Sequence, residues 1–375
     1  MRVAVDVRCL SGSNHLQGVS QYTKHLVSNL LNIQNMYFRL FPGFKHPRKN
    51  DVYSSLPPLP DKSRWAWSPV PMHFLERLWR IGWPPVEWIT GDVDIFFEPN
   101  FFIPPLRSAK AVVTIHDLSF QRYPEFFPYS VAKKRIVQLS KTLKSTDAVI
   151  AVSHFTADEI CTLWPNYRTK VHVVHEAPGP EFCPQSQKKI QEIINRLELK
   201  APFILYVGAL ELRKNVTSLA QAYLKLRRSG KTKCQLVLAG SPGYGAENIM
   251  RIASSGIEKG WIRYLGFVPQ QDLPALYAAS DVFCYISLYE GFGLPPLEAL
   301  ACGTPVLVSR IPVFEEVLGS QAYYVNPSDI EDISKGIALC EERAPSSLKE
   351  RLNWTANFSW EKTALKTADI FKEVA

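Results

Sequence analysis

The stretch DVFCYISLYEGFGLPPLEALACGTPVLVS, residues 281–309, contains the pattern that decides the fold. Its first part, DVFCYISLY, is almost entirely apolar, which is typical of a strand buried on both faces of a parallel sheet. A loop with glycine and proline follows. PPLEALACG then has the length of about two helical turns and ends on a glycine, and TPVLVS is a second apolar run. The stretch therefore predicts one β–α–β unit.

The same alternation of strand and helix runs through the whole chain. The other predicted strands are MRVAVDV, DIFFEP, AVVTIHD, DAVIAVS and VHVVHEA in the first half, and FILYVGAL, QLVLAG and IRYLGF in the second half. Longer segments with helical spacing, such as GVSQYTKHLVSNLLNI, lie between them. We predict an α/β protein with two facing Rossmann-like, doubly wound domains and a ligand crevice between them.

The segment APGPEFCPQ, residues 177–185, is rich in proline and glycine and predicts the connection between the domains. We expect one domain at residues 1–180 and the other at residues 181–357. The last segment, residues 358–375, has apolar residues at helical spacing and predicts a terminal helix. The pattern leaves open whether that helix packs back on the first domain.

Composition narrows the class of protein. The seven cysteines include no C-x-x-C pair, which argues against a disulfide framework or zinc ribbon and favours a reducing cytosol. No apolar run approaches the ~20 residues that cross a bilayer, and the start MRVAVDVRCL predicts a strand rather than a signal peptide. The formal charge of +8 suggests an anionic partner, which could be nucleic acid, anionic lipid or a phosphorylated small molecule.

The loop of the opening stretch has the features of a ligand site. Glu290 follows a strand at its carboxyl end, where open α/β sheets bind ligands. Gly291 and Gly293 allow close approach of another molecule, and the start of the next helix favours an anion the size of a diphosphate. We expect Glu298 in the first helical turn, where an ionised carboxylate could accept hydrogen bonds from a diol such as a ribose. Glu290 could accept from a second hydroxylated group, although both glutamates could also be ordinary solvated residues.

Arg213 and Lys214 follow the strand FILYVGAL after a short turn. Two cations at the carboxyl end of a strand suit a diphosphate leaving group, on which negative charge builds up as a bond breaks. The alternative interpretation is a solvated basic turn.

These features together resemble one known family. EGFGLPPLEALACGTPVLVS resembles the E-x7-E motif of retaining nucleotide-sugar glycosyltransferases of family four, which have the GT-B fold. The segments VDVRCLSGSNHLQGVSQYTKHL, VVTIHDLSF, VIAVSHFTADEI, YVGALELRKNVTSL and YLGFVPQQDLPALYAASDVF are similar to other family motifs, in the family order. The resemblance covers nearly the whole chain. One departure is Ala209, where many relatives carry an arginine after the glycine.

The resemblance implies that the first domain binds the acceptor and that the second binds the donor, a GDP- or UDP-sugar. It assigns donor binding to Gly18, Arg213, Lys214, Phe267, Val268, Glu290, Gly291, Phe292, Gly293, Leu294 and Glu298. It assigns catalysis to His116, Glu290, Arg213 and Lys214. His116 would be a neutral imidazole that hydrogen-bonds the donor sugar. His15, in the loop of Gly18, could reach an acceptor.

The expected reaction is transfer of a hexose, with mannose from GDP-mannose as the favoured case, to a polysaccharide or lipid-linked glycan. Retention of configuration would follow a front-face route in which the leaving phosphate deprotonates the acceptor hydroxyl. No cofactor and no metal ion is expected, since no cluster has metal-ligand spacing. The alternatives are a nucleotide-sugar epimerase and a nucleic-acid-binding protein. The second lacks a recognisable nucleic-acid-binding motif. A dinucleotide oxidoreductase would need G-x-G-x-x-G after the first strand, which is missing.

Two segments bear on the location of the protein, for which we expect the cytoplasm, at the inner face of the membrane if the acceptor is lipid-linked. Residues 131–144, VAKKRIVQLSKTLK, predict a basic amphipathic helix that fits an anionic lipid surface or a solvated outer helix equally well. Residues 61–88 interleave tryptophan with arginine. They could form a sugar-stacking platform, a membrane-interface belt or a helix packed into the core, and the core is favoured.

Overall fold

The computed structural model describes residues 1–10, 18–44 and 55–375. His15 therefore lies outside the described residues. The chain divides into two compact units. The amino-terminal unit contains Met1–Leu118, Ser130–Glu176 and Ser359–Ala375, and the carboxy-terminal unit contains Ser119–Tyr129 and Ala177–Phe358.

The strands are β1 (Arg2–Asp6), β2 (Tyr37–Phe41), β3 (Arg64–Trp65), β4 (Ile95–Glu98), β5 (Lys110–Ile115), β6 (Ala148–Ala151), β7 (Val171–Val173), β8 (Phe203–Val207), β9 (Gln235–Ala239), β10 (Ile262–Gly266), β11 (Val282–Tyr285), β12 (Val306–Ser309) and β13 (Ala322–Val325). The α-helices are α1 (Gly18–Leu30), α2 (Met72–Trp79), α3 (Glu87–Thr90), α4 (Ser119–Arg122), α5 (Tyr129–Lys144), α6 (His154–Leu163), α7 (Gln187–Arg196), α8 (Val216–Arg228), α9 (Ala246–Glu258), α10 (Leu273–Ala279), α11 (Leu294–Ala301), α12 (Pro312–Leu318), α13 (Ile330–Glu342), α14 (Leu348–Thr355) and α15 (Trp360–Val374).

The amino-terminal unit is built on a seven-stranded parallel sheet with the order β3-β2-β1-β4-β5-β6-β7. The chain moves outward from β1 in one direction to β2 and β3, and in the other direction from β4 to β7. Because such crossovers are right-handed, the helices that follow β3 and β5 cover the sheet face opposite α1. The sheet is doubly wound, as predicted.

The terminal helix α15 packs within the amino-terminal unit, beside α1. The Thr363 hydroxyl donates to the His175 carbonyl at 2.8 Å, and the rings of His25 and Trp360 stack with centroids 5.3 Å apart. The segment Ser119–Tyr129 belongs to the carboxy-terminal unit, whereas the division at residue 180 had placed it in the first domain.

The carboxy-terminal unit has a six-stranded parallel sheet with the order β10-β9-β8-β11-β12-β13. Its inner strands are buried apolar runs, and β11 is buried at every position. The strand order reverses between β8 and β11, which is the topological switch point where doubly wound sheets bind ligands. The α/β prediction of two Rossmann-like domains is confirmed.

No helix in the described ranges has the length and apolar character needed to cross a membrane. All seven cysteines are free thiols.

Candidate active site

The candidate site lies at the carboxyl ends of β8 and β11, on either side of the switch point. After β8 the chain makes a short 3-10 turn, Leu212–Lys214, and Asn215 then takes a left-handed conformation with φ of 52°. The Asn215 amide donates to the Pro327 carbonyl at 2.8 Å, which fixes the end of this turn. The backbone N–H of Leu288 donates to the Arg213 carbonyl at 2.9 Å, so the loop after β8 is tied to the loop after β11.

Glu290 is held by both cations of that turn. Nη1 of Arg213 lies 2.9 Å from Oε2 of Glu290, and Nζ of Lys214 lies 2.7 Å from Oε1. Glu290 is only 7% exposed. Burial alone would raise the pKa of its carboxyl, but Arg213 and Lys214 outweigh burial and lower the pKa to about 2. Glu290 is therefore ionised, and the interpretation as a solvated loop carboxylate is wrong.

Lys214 is buried among aromatic rings. Its Nζ donates to the Tyr285 hydroxyl and lies 5.0 Å from the centre of that ring. Burial and the neighbouring Arg213 lower the pKa of Lys214, although Glu290 acts in the opposite direction. Burial and the charge of Glu290 raise the pKa of Tyr285 well above its ordinary value, so its hydroxyl stays protonated. The alternative interpretation of Arg213 and Lys214 as a solvated turn is also wrong.

This arrangement holds two cations and one anion in a buried position. Without a ligand, Glu290 occupies the same side-chain donors that a diphosphate would need. A diphosphate carries more charge and more acceptor oxygens than a carboxylate, so it can compete for Arg213 and Lys214. The site can therefore exchange an internal anion for a bound one.

The glycine loop that follows Glu290 has a steric reason for its sequence. Gly293 has φ of +101°, and a Cβ atom placed there would lie 2.6 Å from Cε1 of Phe314. Gly291 and Phe292 are buried. Helix α11 begins at Leu294, so Pro295 and Pro296 are its second and third residues. Of the first three helical residues only Leu294 has an N–H group, and the start of the helix offers fewer donors than the sequence analysis expected.

Glu298 is the fifth residue of α11, beyond the first turn, so the predicted first-turn position is wrong. The cause is Gly293, whose positive φ starts the helix at Leu294 rather than at the prolines. Oε2 of Glu298 accepts a hydrogen bond from the Tyr277 hydroxyl at 3.1 Å. Burial, followed by the charge of Glu298, raises the pKa of Tyr277 well above its ordinary value, so Tyr277 stays a donor.

Phe267 and Val268 follow β10 at the edge of the same sheet. The Phe267 side chain is half exposed, whereas Val268 is buried. Gly266 precedes them with φ of +66°, and its carbonyl accepts from the Gly240 N–H at 2.7 Å. Phe267 is therefore at the surface on a strand end whose backbone is fixed.

Gly18 is the first residue of α1, in the amino-terminal unit, and is exposed. A Cβ atom at Gly18 would meet nothing within 4 Å, so packing within the described residues does not require glycine there.

His116 also lies in the amino-terminal unit, directly after β5. Its Nδ1 is 2.8 Å from a carboxylate oxygen of Glu176, and its Nε2 is 2.8 Å from the Pro99 carbonyl. Burial alone would lower the pKa of His116, but Glu176 and the Pro99 carbonyl raise it above its ordinary value. Both partners are acceptors, so both ring nitrogens carry protons. The raised pKa and the two acceptors favour an imidazolium over the neutral imidazole expected from the sequence.

The residues that hold the predicted ones in place are not among the predicted site residues. Tyr285 contacts Lys214, Tyr277 contacts Glu298 and Glu176 contacts His116. The two tyrosines lie in apolar runs that predict core. A signal for them existed, because a buried tyrosine hydroxyl needs a polar partner.

Comparisons with known proteins identify the family. The family described as "Glycosyltransferase Family 4" matches residues 16–177, and the family described as "Glycosyl transferases group 1" matches residues 187–357. The O-antigen chain mannosyltransferase B of Escherichia coli is 34% identical over 282 residues, which are 74% of this chain and 74% of that protein. The serotype-specific mannosyltransferase WbdA of Escherichia coli is 34% identical over 269 residues; these are 68% of this chain and 32% of that longer protein.

Among solved structures, HepE of Anabaena in complex with UDP and glucose has a TM-score of 0.73 at 16% sequence identity, with 100% of both chains covered. This likeness shows the fold. The family matches and the 34% identical relative argue against the epimerase and nucleic-acid-binding alternatives. The chain belongs to glycosyltransferase family four and is a glycosyltransferase with the GT-B fold.

Proposed function

We propose that this enzyme transfers mannose from GDP-mannose to a growing polysaccharide or lipid-linked glycan, with retention of the anomeric configuration. The observation that carries the proposal is the contact of Arg213 and Lys214 with Glu290 at the switch point of the six-stranded sheet. The names of the O-antigen chain mannosyltransferase B and of WbdA support mannose as the sugar.

Donor binding would exchange the partners of the two cations. The diphosphate takes Arg213 and Lys214, and the Glu290 carboxylate, released from them, accepts hydroxyl protons of the sugar. Glu298, positioned by Tyr277, would accept from the ribose. Phe267 and Val268 would contact the base.

In the transfer step the bond between the anomeric carbon and the phosphate oxygen breaks, and its electron pair moves onto the diphosphate. The acceptor oxygen bonds to the anomeric carbon on the same face, and its proton passes to the departing phosphate oxygen. Arg213 and Lys214 stabilise the charge that builds up on the leaving group. Because these two cations balance the charge on the leaving group, the proposed reaction needs no metal ion.

Retention by this route is favoured over a covalent intermediate. A glutamate nucleophile would need a free carboxylate oxygen directed at the anomeric carbon. In the proposed binding mode the released Glu290 accepts from sugar hydroxyls, and Glu298, which is bonded to Tyr277, accepts from the ribose, so neither carboxylate is assigned to the anomeric carbon. The imidazolium of His116 would donate a hydrogen bond to the Pro99 carbonyl and so fix the loop after β4.

The acceptor side would lie at the cytoplasmic face of a membrane. Ala132, Leu139 and Leu143 of α5 are buried, and Ile136, at the same helical spacing, is partly buried. Lys133, Lys134, Lys141 and Lys144 are exposed along the same helix. This basic face would attract anionic lipid.

The test is the release of nucleoside diphosphate from GDP-mannose, UDP-glucose and ADP-glucose, followed by NMR of the linkage made from the best donor. We expect GDP-mannose to be preferred and the linkage to keep the configuration of the donor. An inverted linkage would exclude the front-face route, and indifference to every sugar nucleotide would exclude the function.

A further inference from the structure

The segment of α2 and α3 exposes an unusual group of apolar side chains. Ile81 is 78% exposed, Trp88 62%, Phe74 53% and Trp83 50%. The rings of Trp83 and Trp88 contact each other edge to face, with centroids 5.3 Å apart. These four residues are called the aromatic surface below. A patch of this kind on a soluble domain marks an interaction site.

The sequence pattern favoured the core for this segment, and the structure divides it. Leu75, Trp79 and Val86 belong to a buried cluster that covers the sheet, together with Phe96. The four residues of the aromatic surface lie in the same segment but are exposed. The tryptophans in the segment therefore have two functions, and only one of them is packing.

The charge around the aromatic surface is positive. Arg77 and Arg80 are exposed between its members. The two acidic residues of this segment do not offset them. Glu76 makes an ion pair with Arg8 at 3.3 Å, and Glu87 is buried, with one carboxylate oxygen accepting from backbone N–H groups of residues 107–109. Tryptophan beside arginine is the composition of the zone between lipid headgroups and acyl chains.

Helix α2 and the basic helix α5 contact the same loop. Both lie on the sheet face opposite α1, by the right-handed crossover argument. The Thr142 hydroxyl of α5 donates to the Phe101 carbonyl at 2.8 Å, and the next ring, Phe102, packs 6.1 Å from Trp79 of α2. One short loop thus touches both helices.

The buried side of α2 also lies near the carboxyl edge of the sheet, where ligands bind in folds of this type. Arg8 follows β1 and Phe102 follows β4, both beyond the carboxyl ends of their strands. The Arg8 guanidinium lies 5.4 Å from the Trp79 ring and 5.7 Å from the Phe102 ring. A molecule whose apolar part rested on the aromatic surface would have its polar part near this edge.

We propose that the aromatic surface inserts into the interface of an anionic bilayer, while Arg77, Arg80 and the lysines of α5 contact lipid phosphates. Scattered apolar side chains among cations fit a bilayer better than a protein groove, because a bilayer needs no shape complementarity. This inference rests on the proposed function only in its consequence, which is that a lipid-linked acceptor meets the enzyme on this side.

The test uses the full chain and vesicles of phosphatidylcholine mixed with phosphatidylglycerol, in a sedimentation assay. The variant Ile81→Ser/Trp88→Ser removes two exposed apolar side chains from the surface. The matched control, Leu339→Ser/Leu365→Ser, removes two exposed leucines elsewhere. We expect the first variant to bind vesicles about tenfold more weakly and the control to bind like the wild type. Equal binding of all three proteins would overturn the proposal.

Salt separates insertion from simple charge attraction. Lys134→Gln/Lys141→Gln should weaken binding at low salt, and high salt should remove that difference by screening. The loss caused by Ile81→Ser/Trp88→Ser should persist at high salt. A folded surface variant that loses only a concentration-dependent dimer, with vesicle binding intact, would show that the surface binds a second copy and would overturn the proposal.

The outcome can be separated from that of the proposed function. Release of GDP from GDP-mannose without vesicles reports on the reaction alone. Wild-type protein that binds vesicles through this surface but turns over no sugar nucleotide would support the surface and contradict the function. Turnover of a sugar nucleotide without any vesicle binding would support the function and contradict the membrane surface.

Discussion

Nζ of Lys214, in the turn after β8, lies 2.7 Å from Oε1 of Glu290, a buried carboxylate in the loop after β11. Each residue alters the protonation of the other. Lys214 helps to keep the pKa of Glu290 near 2, and Glu290 partly offsets the burial that lowers the pKa of Lys214. In the proposed function, the cation of this internal pair is also the group that binds the diphosphate.

Replacing Lys214 should remove half of the charge that stabilises the leaving group. We expect Lys214→Met to lower kcat by about 10²–10³, the usual effect of losing one preorganised donor. Steady-state kinetics with GDP-mannose provide the measurement. Lys225→Met is the matched control, because Lys225 pairs with Glu331 at the surface of the same unit. Equal kinetics of both variants would show that Lys214 is not at the reacting group.

Acid should weaken the fold through Glu290. Its pKa is about 2 in the folded protein, below the ordinary value of 4.5. A depressed pKa stabilises the fold above about pH 4.5, and this stability, on the order of 3 kcal/mol, is lost as pH falls toward 2. Urea unfolding at several pH values should show this loss in the wild type. In Glu290→Gln this acid-dependent loss of stability should be missing. A variant with the same pH profile of stability as the wild type would contradict the ion pair.

His116 should have the opposite pH dependence. Burial alone would lower the pKa of His116, but Glu176 and the Pro99 carbonyl outweigh burial and raise this pKa in the folded protein. A raised pKa stabilises the fold fully below about pH 6.5, and this stability is lost as pH rises through the folded pKa. Histidine NMR titration should place that folded pKa above the ordinary value in the wild type and lower in Glu176→Gln. A His116 signal that titrates identically in both proteins would argue against the imidazolium.

Gly293 should tolerate no side chain. A methyl group there would clash with Phe314 and would force a left-handed φ on alanine. We expect Gly293→Ala to cost roughly 2–4 kcal/mol of stability, measured by thermal or urea unfolding. Gly18→Ala is the comparison, since a Cβ at Gly18 meets open space and should leave stability nearly unchanged. Phe314→Leu added to Gly293→Ala should restore only the part of the loss that comes from the clash.

Removing the Tyr277 hydroxyl should affect donor binding more than the chemical step. Tyr277→Phe deletes the hydrogen bond to Glu298 and keeps the ring that packs on Phe283. A bond to a charged group contributes about 1.5 kcal/mol, so KM for the donor should rise roughly tenfold with kcat little changed. A fall in kcat at constant KM would place Glu298 at the reacting atoms instead.

Much of the fold could be predicted because parallel strands buried on both faces have a distinctive apolar pattern. Strands such as β8 and β11 were found for this reason. Strands β2, β3 and β13 were not, since YFRLF, RW and AYYV are short and carry polar or aromatic residues that do not form such a run. The start of α11 was misplaced because the φ of Gly293 is set by its packing against Phe314, which no local pattern encodes.

The candidate site could be predicted as far as residue types allow. The sequence showed that Arg213, Lys214 and Glu290 each lie at a strand end, but not that they bond to one another. That contact depends on the switch-point order of β8 and β11, which brings distant loops together. The contact between His116 and Glu176, which favours the protonated imidazole, also could not be predicted from the sequence.

The most direct test of the exchange between Glu290 and the donor is the affinity for GDP alone, measured by calorimetry on the wild type and on Glu290→Gln, with GMP as the ligand that lacks the second phosphate. If Glu290 competes for Arg213 and Lys214, the variant should bind GDP about tenfold more tightly, show a smaller change for GMP, and transfer mannose more slowly. Weaker or unchanged GDP binding by the variant would contradict the account.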